Sequence, residues 1–200
     1  MDDVELKPKW QAYLNEAVSQ MLGTTAMRRH LSDEHYRDTP ARVVKAFEEY
    51  FWGIDKDPAA ELKTSFGEKE YSQMVAVAHV EFVSYCAHHL VPFMGKYTFA
   101  YIPNSHVVGL SKIPRMVQVL CARPQVQEAL SQQIVTTFQS KVSPIGCGVV
   151  MDAFHCCMSC RGVRTWATTR TTALAGVFLS DPAVKAEFLS LVGPAKELGL

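Results

Sequence analysis

Two pairs of strand-like segments on either side of two helical segments constrain the fold of this chain most. The predicted strands, rich in β-branched and aromatic residues, are 74–85, 95–102, 146–157 and 165–175. The predicted helices between the pairs are 111–121, capped by Ser111, and 124–141, beginning at Pro124. This order predicts an α+β fold with an antiparallel four-stranded sheet and helices on one face. The two edges of such a sheet could join between subunits.

The first third of the chain is helical and then irregular. Residues 8–22 have apolar residues at helical spacing, and Thr39-Pro40 predicts a second helix that ends near Phe51. Residues 54–72 are mixed and charged, which is typical of a connector. We therefore divide the chain into an N-terminal helical extension with its connector, 1–72, and a sheet-containing domain, 73–200, which ends in a helix near Leu191.

Composition bounds the class of protein. The chain has 200 residues, and its hydrophobic content of 48% excludes a disordered chain. It carries no formal net charge, which argues against a general nucleic-acid binder. No apolar run approaches the roughly 18 residues that cross a bilayer, so we expect no membrane association. Residues 1–10 are acidic and polar, unlike a signal peptide, and this predicts a cytoplasmic protein.

Cysteine and histidine residues cluster at the ends of two predicted strands. Of the thirteen in the chain, seven fall in ten positions: Cys86, His88, His89, His155, Cys156, Cys157 and Cys160. Thiolate and imidazole are the preferred ligands of zinc, and two short clusters far apart in sequence are the usual way to assemble a zinc site. The alternative is a coincidence of buried cysteines.

The spacing allows two kinds of metal site. Cys86-x-x-His89 with Cys157-x-x-Cys160 would make a closed four-ligand site in a zinc-stabilised binding module. Three protein ligands with an open position would instead suit hydrolysis, with a histidine nearby to move protons. If the strand continues to Cys157, His155 and Cys157 share a face. Spacing alone does not choose between the two sites.

Polar residues elsewhere suit a nucleotide. Positions 86–178 hold eight basic residues but only two acidic ones, Glu128 and Asp152. This excess of positive charge suits a small polyanion, although solvated basic residues on the surface are the simpler interpretation. Phosphate could bind at the helix start Ser111-Lys112-x-x-Arg115. Gln127-Glu128 offers an amide and a carboxylate to a guanine-like edge, although such a pair is usually a solvated helix face.

At these residues the chain resembles GTP cyclohydrolase I. The matching segments are Cys86–Phe93 (CAHHLVPF), Gly109-Leu110-Ser111-Lys112-x-x-Arg115, Arg123–Glu128 (RPQVQE), His155–Met158 (HCCM), Arg161-Gly162 and, in the N-terminal helix, Asp38-Thr39-Pro40-x-Arg42-Val43. They occur in order over most of residues 38–190. The resemblance implies the tunnelling fold and a homodecamer with active sites between subunits.

The resemblance also implies a role for each site residue. It makes Cys86, His89 and Cys157 the ligands of one Zn²⁺ per subunit, which favours the open site, and it implies no organic cofactor. His88 and His155 would transfer protons, with Ser111 near the ribose. Gln127 and Glu128 would bind guanine. The triphosphate would be bound by Lys112, Arg115 and Arg161, with Arg42 and Lys45 from a neighbouring subunit.

The implied reaction converts GTP and water to 7,8-dihydroneopterin triphosphate and formate, the first step of pterin, folate or 7-deazaguanine biosynthesis. Two positions depart from the family pattern: Ala87 replaces a glutamate, and Cys160 is an additional cysteine. Two other functions stay open: a related tunnelling-fold enzyme acting on another purine or pterin, and a non-catalytic zinc-stabilised oligomeric module closed by Cys160.

Overall fold

The strands of both predicted pairs lie side by side in one sheet. The structure, a computed structural model, describes residues 7–24, 33–63, 65–67 and 71–194. Its strands are β1 (Ser65–Gly67), β2 (Val75–Cys86), β3 (Pro92–Ile102), β4 (His106–Val108), β5 (Pro124–Gln125), β6 (Gly146–His155) and β7 (Thr168–Gly176). Within the described residues the sheet has the order β5-β2-β3-β6-β7, and β1 pairs with β4 separately.

Helices lie before, between and after these strands along the chain. They are α1 (Lys7–Leu22), α2 (Asp33–Tyr36), α3 (Thr39–Tyr50), α4 (Lys112–Cys121), α5 (Gln127–Val142), α6 (Cys156–Ser159), α7 (Val177–Ser180) and α8 (Pro182–Val192), with a 3₁₀ turn at Pro58–Glu61. The α+β class and the order of two strands, two helices and two strands agree with the prediction. None of the helices in the described ranges combines the length and apolarity needed to cross a membrane.

The sheet differs from the predicted four strands at β5. Pro124-Gln125 was predicted to begin a helix, but it pairs in parallel with Tyr85-Cys86 of β2, and α5 begins only at Gln127. The buried Gln125 side chain donates to Leu120 O at 3.0 Å, which fixes this segment against the end of α4. The four long strands are antiparallel, as expected.

Helices cover both faces of the sheet, so the prediction of helices on one face is wrong. Residues 97–101 of β3 are all buried, although successive side chains point to opposite faces. On one face Phe99 and Tyr101 pack against Phe138 of α5, with ring centroids 4.8 and 4.9 Å apart. On the other face Ala100 belongs to a cluster with Phe188 of α8. A strand buried on both faces carries a continuous apolar run rather than an alternating one.

The described chain separates into two compact units, one ending at Phe51 and the other beginning at Trp52. In the first unit α1 packs on α3, and the Gln11 amide donates to the Glu48 carboxylate. The functional division after residue 72, between an extension and a catalytic domain, stays a prediction. Residues 1–6 of the acidic N-terminus and residues 64 and 68–70 of the predicted connector lie outside the described ranges.

Truncating Phe138 should test the packing of α5. The side chain is fully buried between two aromatic rings of β3. We expect Phe138→Ala to lower the free energy of unfolding by about 3–5 kcal/mol, measured by urea titration at fixed protein concentration. Ser140→Ala, on the exposed side of the same helix, should change it by less than about 0.5 kcal/mol. Equal effects of the two variants would contradict this packing.

Candidate active site

The turn after β2 holds the first cluster in place. The Cys86 carbonyl accepts from the Leu90 N–H at 2.8 Å, and the Cys86 N–H donates to Val91 O at 2.9 Å. Leu90 closes the turn with a left-handed φ of 54°. The Ala87 N–H donates to Gln125 O at 2.8 Å, so β5 supports the turn from the side. The Ala87 side chain is exposed. The hydrogen bond to Gln125 uses only main-chain atoms of residue 87, so it does not require the glutamate that the family pattern has at this position.

Three donor atoms of the two clusters converge. Cys86, His89 and Cys157 offer ligand atoms that all lie within 4.8 Å of one another. His89 Nδ1 is 3.8 Å from Cys86 Sγ, and His88 Nδ1 lies at the same distance from that sulfur. Two thiols and an imidazole at these separations have the chemistry of a zinc site. The residues present therefore fit the predicted ion.

The second cluster is not strand throughout. Strand β6 ends at His155, and Cys156–Ser159 form a helical turn in which the Cys160 N–H donates to Cys156 O at 3.0 Å. The prediction that His155 and Cys157 share a strand face is therefore wrong. The turn nevertheless brings Cys157 to Cys86. Burial and the neighbouring Cys86 thiol raise the pKa of Cys157, which Arg161 opposes. A metal that binds the thiolates should therefore release protons.

Cys160 lies outside the converging donors. Among the described residues it does not belong to a group with the ligand spacing of a metal site. It is exposed, and its Sγ lies 2.7 Å from Cys156 O, a main-chain acceptor in its own turn. This arrangement favours three protein ligands over the four-ligand site that spacing alone allowed.

His155 is held by two neighbours. Its ring stacks on Phe93, with centroids 4.9 Å apart and planes 7° from parallel, because these residues face each other across β3 and β6. Its Nε2 lies 2.7 Å from Gln127 Oε1. Burial lowers the pKa of His155, and the nearby Glu128 carboxylate opposes that shift. The ring is therefore neutral near pH 7 and can accept a proton.

The predicted phosphate-binding residues differ in their surroundings. Arg161 lies against the first cluster, with Nη1 2.7 Å from His89 Nε2. Ser111 precedes α4 and Lys112 begins it. Among the described residues no hydrogen bond or ion pair involves the side chain of Lys112 or Arg115, both on α4. The remaining pair, Arg42 and Lys45, lies exposed on α3 beside Asp38 and Glu49.

Sequence reasoning missed two residues of this site. Phe93 lies in a matching segment, but the sequence pattern predicts the second strand only over 95–102 and indicates no role for this ring. Thr171 contacts the Gln127 amide from β7, with its Oγ1 3.1 Å from Nε2. Phe93 lies opposite His155 because of the register between β3 and β6, and these strands are too far apart in sequence for local patterns to predict it.

Two comparisons of the sequence with known proteins name the same family. The sequence profile of GTP cyclohydrolase I matches residues 14–193. GTP cyclohydrolase 1 of Campylobacter lari is 45% identical over 161 residues, which cover 80% of this chain and 85% of that protein. The Desulforamulus reducens protein of the same name is 44% identical over 181 residues, 90% of this chain and 95% of its own. A crystal structure of the archaeosine synthase QueF-Like matches 52% of this chain and 93% of its own at 17% identity, with a TM-score of 0.42, too low to support an argument.

Proposed function

The chain belongs to the GTP cyclohydrolase I family, and we propose that it converts GTP and water to 7,8-dihydroneopterin triphosphate and formate in a zinc-dependent reaction. The observation that carries the proposal is the convergence of Cys86, His89 and Cys157 within 4.8 Å in a chain of this family. Formate is the one-carbon fragment lost from the imidazole ring of the purine. The remaining atoms rearrange into the pterin ring.

The three donors would hold the ion, and His155 and His88 would move protons. A bound zinc ion would supply the Lewis acid that activates water for attack on C8 of the purine. A histidine that is neutral near pH 7 can accept a proton and then return it to a ring nitrogen, as a general acid–base catalyst does. His88 lies 3.8 Å from Cys86 Sγ and is the second imidazole available to the same reaction centre.

Guanine and triphosphate would be bound by separate groups. Glu128 is exposed in the first turn of α5, where its carboxylate can accept two N–H groups from the guanine edge. Lys112, Arg115 and Arg161 would bind the triphosphate, with Ser111 near the ribose. Gln127, which was predicted to share guanine binding, has its side-chain amide engaged within the protein.

The proposal extends to assembly and cellular context. We propose the tunnelling fold and a homodecamer, in which Arg42 and Lys45 of a neighbouring subunit complete the triphosphate site. The position of β7 at an edge of the sheet supports joining between subunits. All six cysteines are free, which fits a reducing cytoplasm. The product would feed pterin, folate or 7-deazaguanine synthesis.

Incubation of the zinc-loaded protein with GTP tests the proposal. Formate release and pterin fluorescence after oxidation should appear in equal amounts. ATP, which has the same triphosphate but a different purine edge, is the matched control and should yield neither product. Formate without pterin would contradict the rearrangement, and absence of both products from a protein that retains zinc would overturn the proposed function.

A further inference from the structure

The side-chain amide of Gln127 is buried and its orientation is fixed. The residue is 2% exposed at the start of α5. Its Nε2 lies 3.0 Å from Met151 O on β6 and 3.0 Å from Thr169 O on β7. Carbonyl oxygens only accept hydrogen bonds, so the NH₂ group must face these two strands. The amide oxygen therefore faces the opposite way.

That oxygen determines the tautomer of His155. Gln127 Oε1 is 2.7 Å from His155 Nε2, and an amide oxygen can only accept. Nε2 must therefore carry the hydrogen, which leaves Nδ1 with the lone pair in the neutral ring. Stacking on Phe93 fixes the plane of the ring but not which edge faces Gln127. The hydrogen bond supplies this second constraint.

A closed set of hydrogen bonds supports the amide. Thr171 Oγ1 lies 3.1 Å from Gln127 Nε2 and 2.7 Å from Ser131 Oγ, and the Ser131 hydroxyl donates back to the Gln127 carbonyl at 3.0 Å. The two hydrogens of the Gln127 NH₂ group are shared among three acceptors, which are the Met151 and Thr169 carbonyls and Thr171 Oγ1. The network ties the start of α5 to β7 and leaves the Gln127 amide little freedom to rotate.

We propose that Gln127 is a positioning residue, which holds His155 in the Nε2–H tautomer and in the ring orientation used for proton transfer. The inference rests on the proposed function for the role of His155. Under this inference the Gln127 side chain orients His155 and does not bind guanine. A guanine edge could reach the amide NH₂ only by displacing the Met151 and Thr169 carbonyls, and buried unpaired carbonyls are costly.

Kinetics and binding separate these two roles. Gln127→Met keeps the length of the side chain and removes both hydrogen-bonding ends. We expect kcat for pterin formation to fall about 100-fold, within the range that general acid–base catalysis contributes. The Kd of 7-deaza-GTP, which keeps the guanine edge and triphosphate but lacks N7, should change less than about twofold. The control Gln132→Met, on the exposed side of α5, should change neither value.

The opposite pattern would overturn the proposal. A Kd for 7-deaza-GTP that rises about tenfold or more with little change in kcat would make Gln127 a guanine ligand. Additivity gives a second criterion. In a His155→Ala background, Gln127→Met should lower kcat no further, because a residue that acts through His155 has nothing left to position. If Gln127→Met lowered kcat by the same factor in the His155→Ala background as in the wild type, Gln127 would not act through His155.

A measurement on the wild type keeps the inference testable if Gln127→Met does not fold. Solid-state ¹⁵N NMR of histidine-labelled protein at neutral pH, assigned with His155→Ala, should show His155 protonated at Nε2. Protonation at Nδ1 alone would overturn the inference. The spectrum does not depend on turnover, so an Nε2–H tautomer in a protein that makes no pterin would contradict only the proposed function.

Discussion

Cys157→Ser should abolish both metal binding and turnover, whereas Cys160→Ser should leave both unchanged. Cys157 belongs to the three residues whose ligand atoms lie within 4.8 Å, while the Cys160 thiol contacts the carbonyl of its own turn. Serine is nearly isosteric with cysteine but supplies no soft thiolate for zinc. The two positions are three residues apart, so the pair of variants compares thiols in one short segment.

The expected magnitudes follow from the chemistry of metal sites. Loss of an outer partner of a ligand already costs roughly 10–100-fold in metal affinity, so loss of a ligand should cost more. We expect zinc per chain, measured by elemental analysis after dialysis, to fall from about one to near zero in Cys157→Ser. Formate release should fall more than about 100-fold. Cys86→Ser should behave in the same way.

Metal loss in Cys160→Ser, or metal retention in Cys157→Ser, would contradict the three-ligand site. If Cys160→Ser lost its metal together with Cys157→Ser, four ligands would close the site and leave no open position for water. The closed zinc-stabilised module would then account for the two clusters. If Cys157→Ser kept its zinc and its activity, the three converging residues would not be the metal site.

The two cysteine–histidine clusters could be found from the sequence because each depends on short-range spacing, whereas the choice of three donors among them came from the resemblance. Cys86-x-x-His89 is a single turn, and the second cluster also lies within one turn, so the resemblance assigned Cys157 although the local structure there was predicted incorrectly. The strand continues only to His155, and the cysteines that follow form a helical turn. The resemblance supplied three proposed ligands that the structure brings together, but it did not supply the backbone that carries them.

The surroundings of the site could not be predicted because they depend on tertiary contacts. Pro124-Gln125 has the pattern of a helix start, yet pairing with the end of β2 makes it a strand. Gln127 and Glu128 are neighbours on one helix, and nothing in their types indicates which of them is buried. The structure places Gln127 at 2% exposure against β6 and β7, while Glu128 is exposed. Only the packing of α5 on the sheet distinguishes the two.

His155→Ala should lower kcat for pterin formation about 1,000-fold while the zinc content stays at about one per chain. The ring is neutral near pH 7 because burial lowers its pKa, and it is fixed by Phe93 and Gln127. Removing it should take away proton transfer without removing a metal ligand. The Kd of 7-deaza-GTP should change less than about threefold, because the proposed guanine and phosphate contacts remain.

A second histidine provides the control for this loss. His106 is exposed on β4, and its Nδ1 lies 2.8 Å from the hydroxyl of the adjacent Ser105. We expect His106→Ala to keep wild-type kcat and zinc content. If His155→Ala lost zinc as well, its lower rate would reflect the metal site and not proton transfer. If it kept wild-type kcat with its zinc, His155 would have no catalytic part, and the positioning role of Gln127 would fail with it.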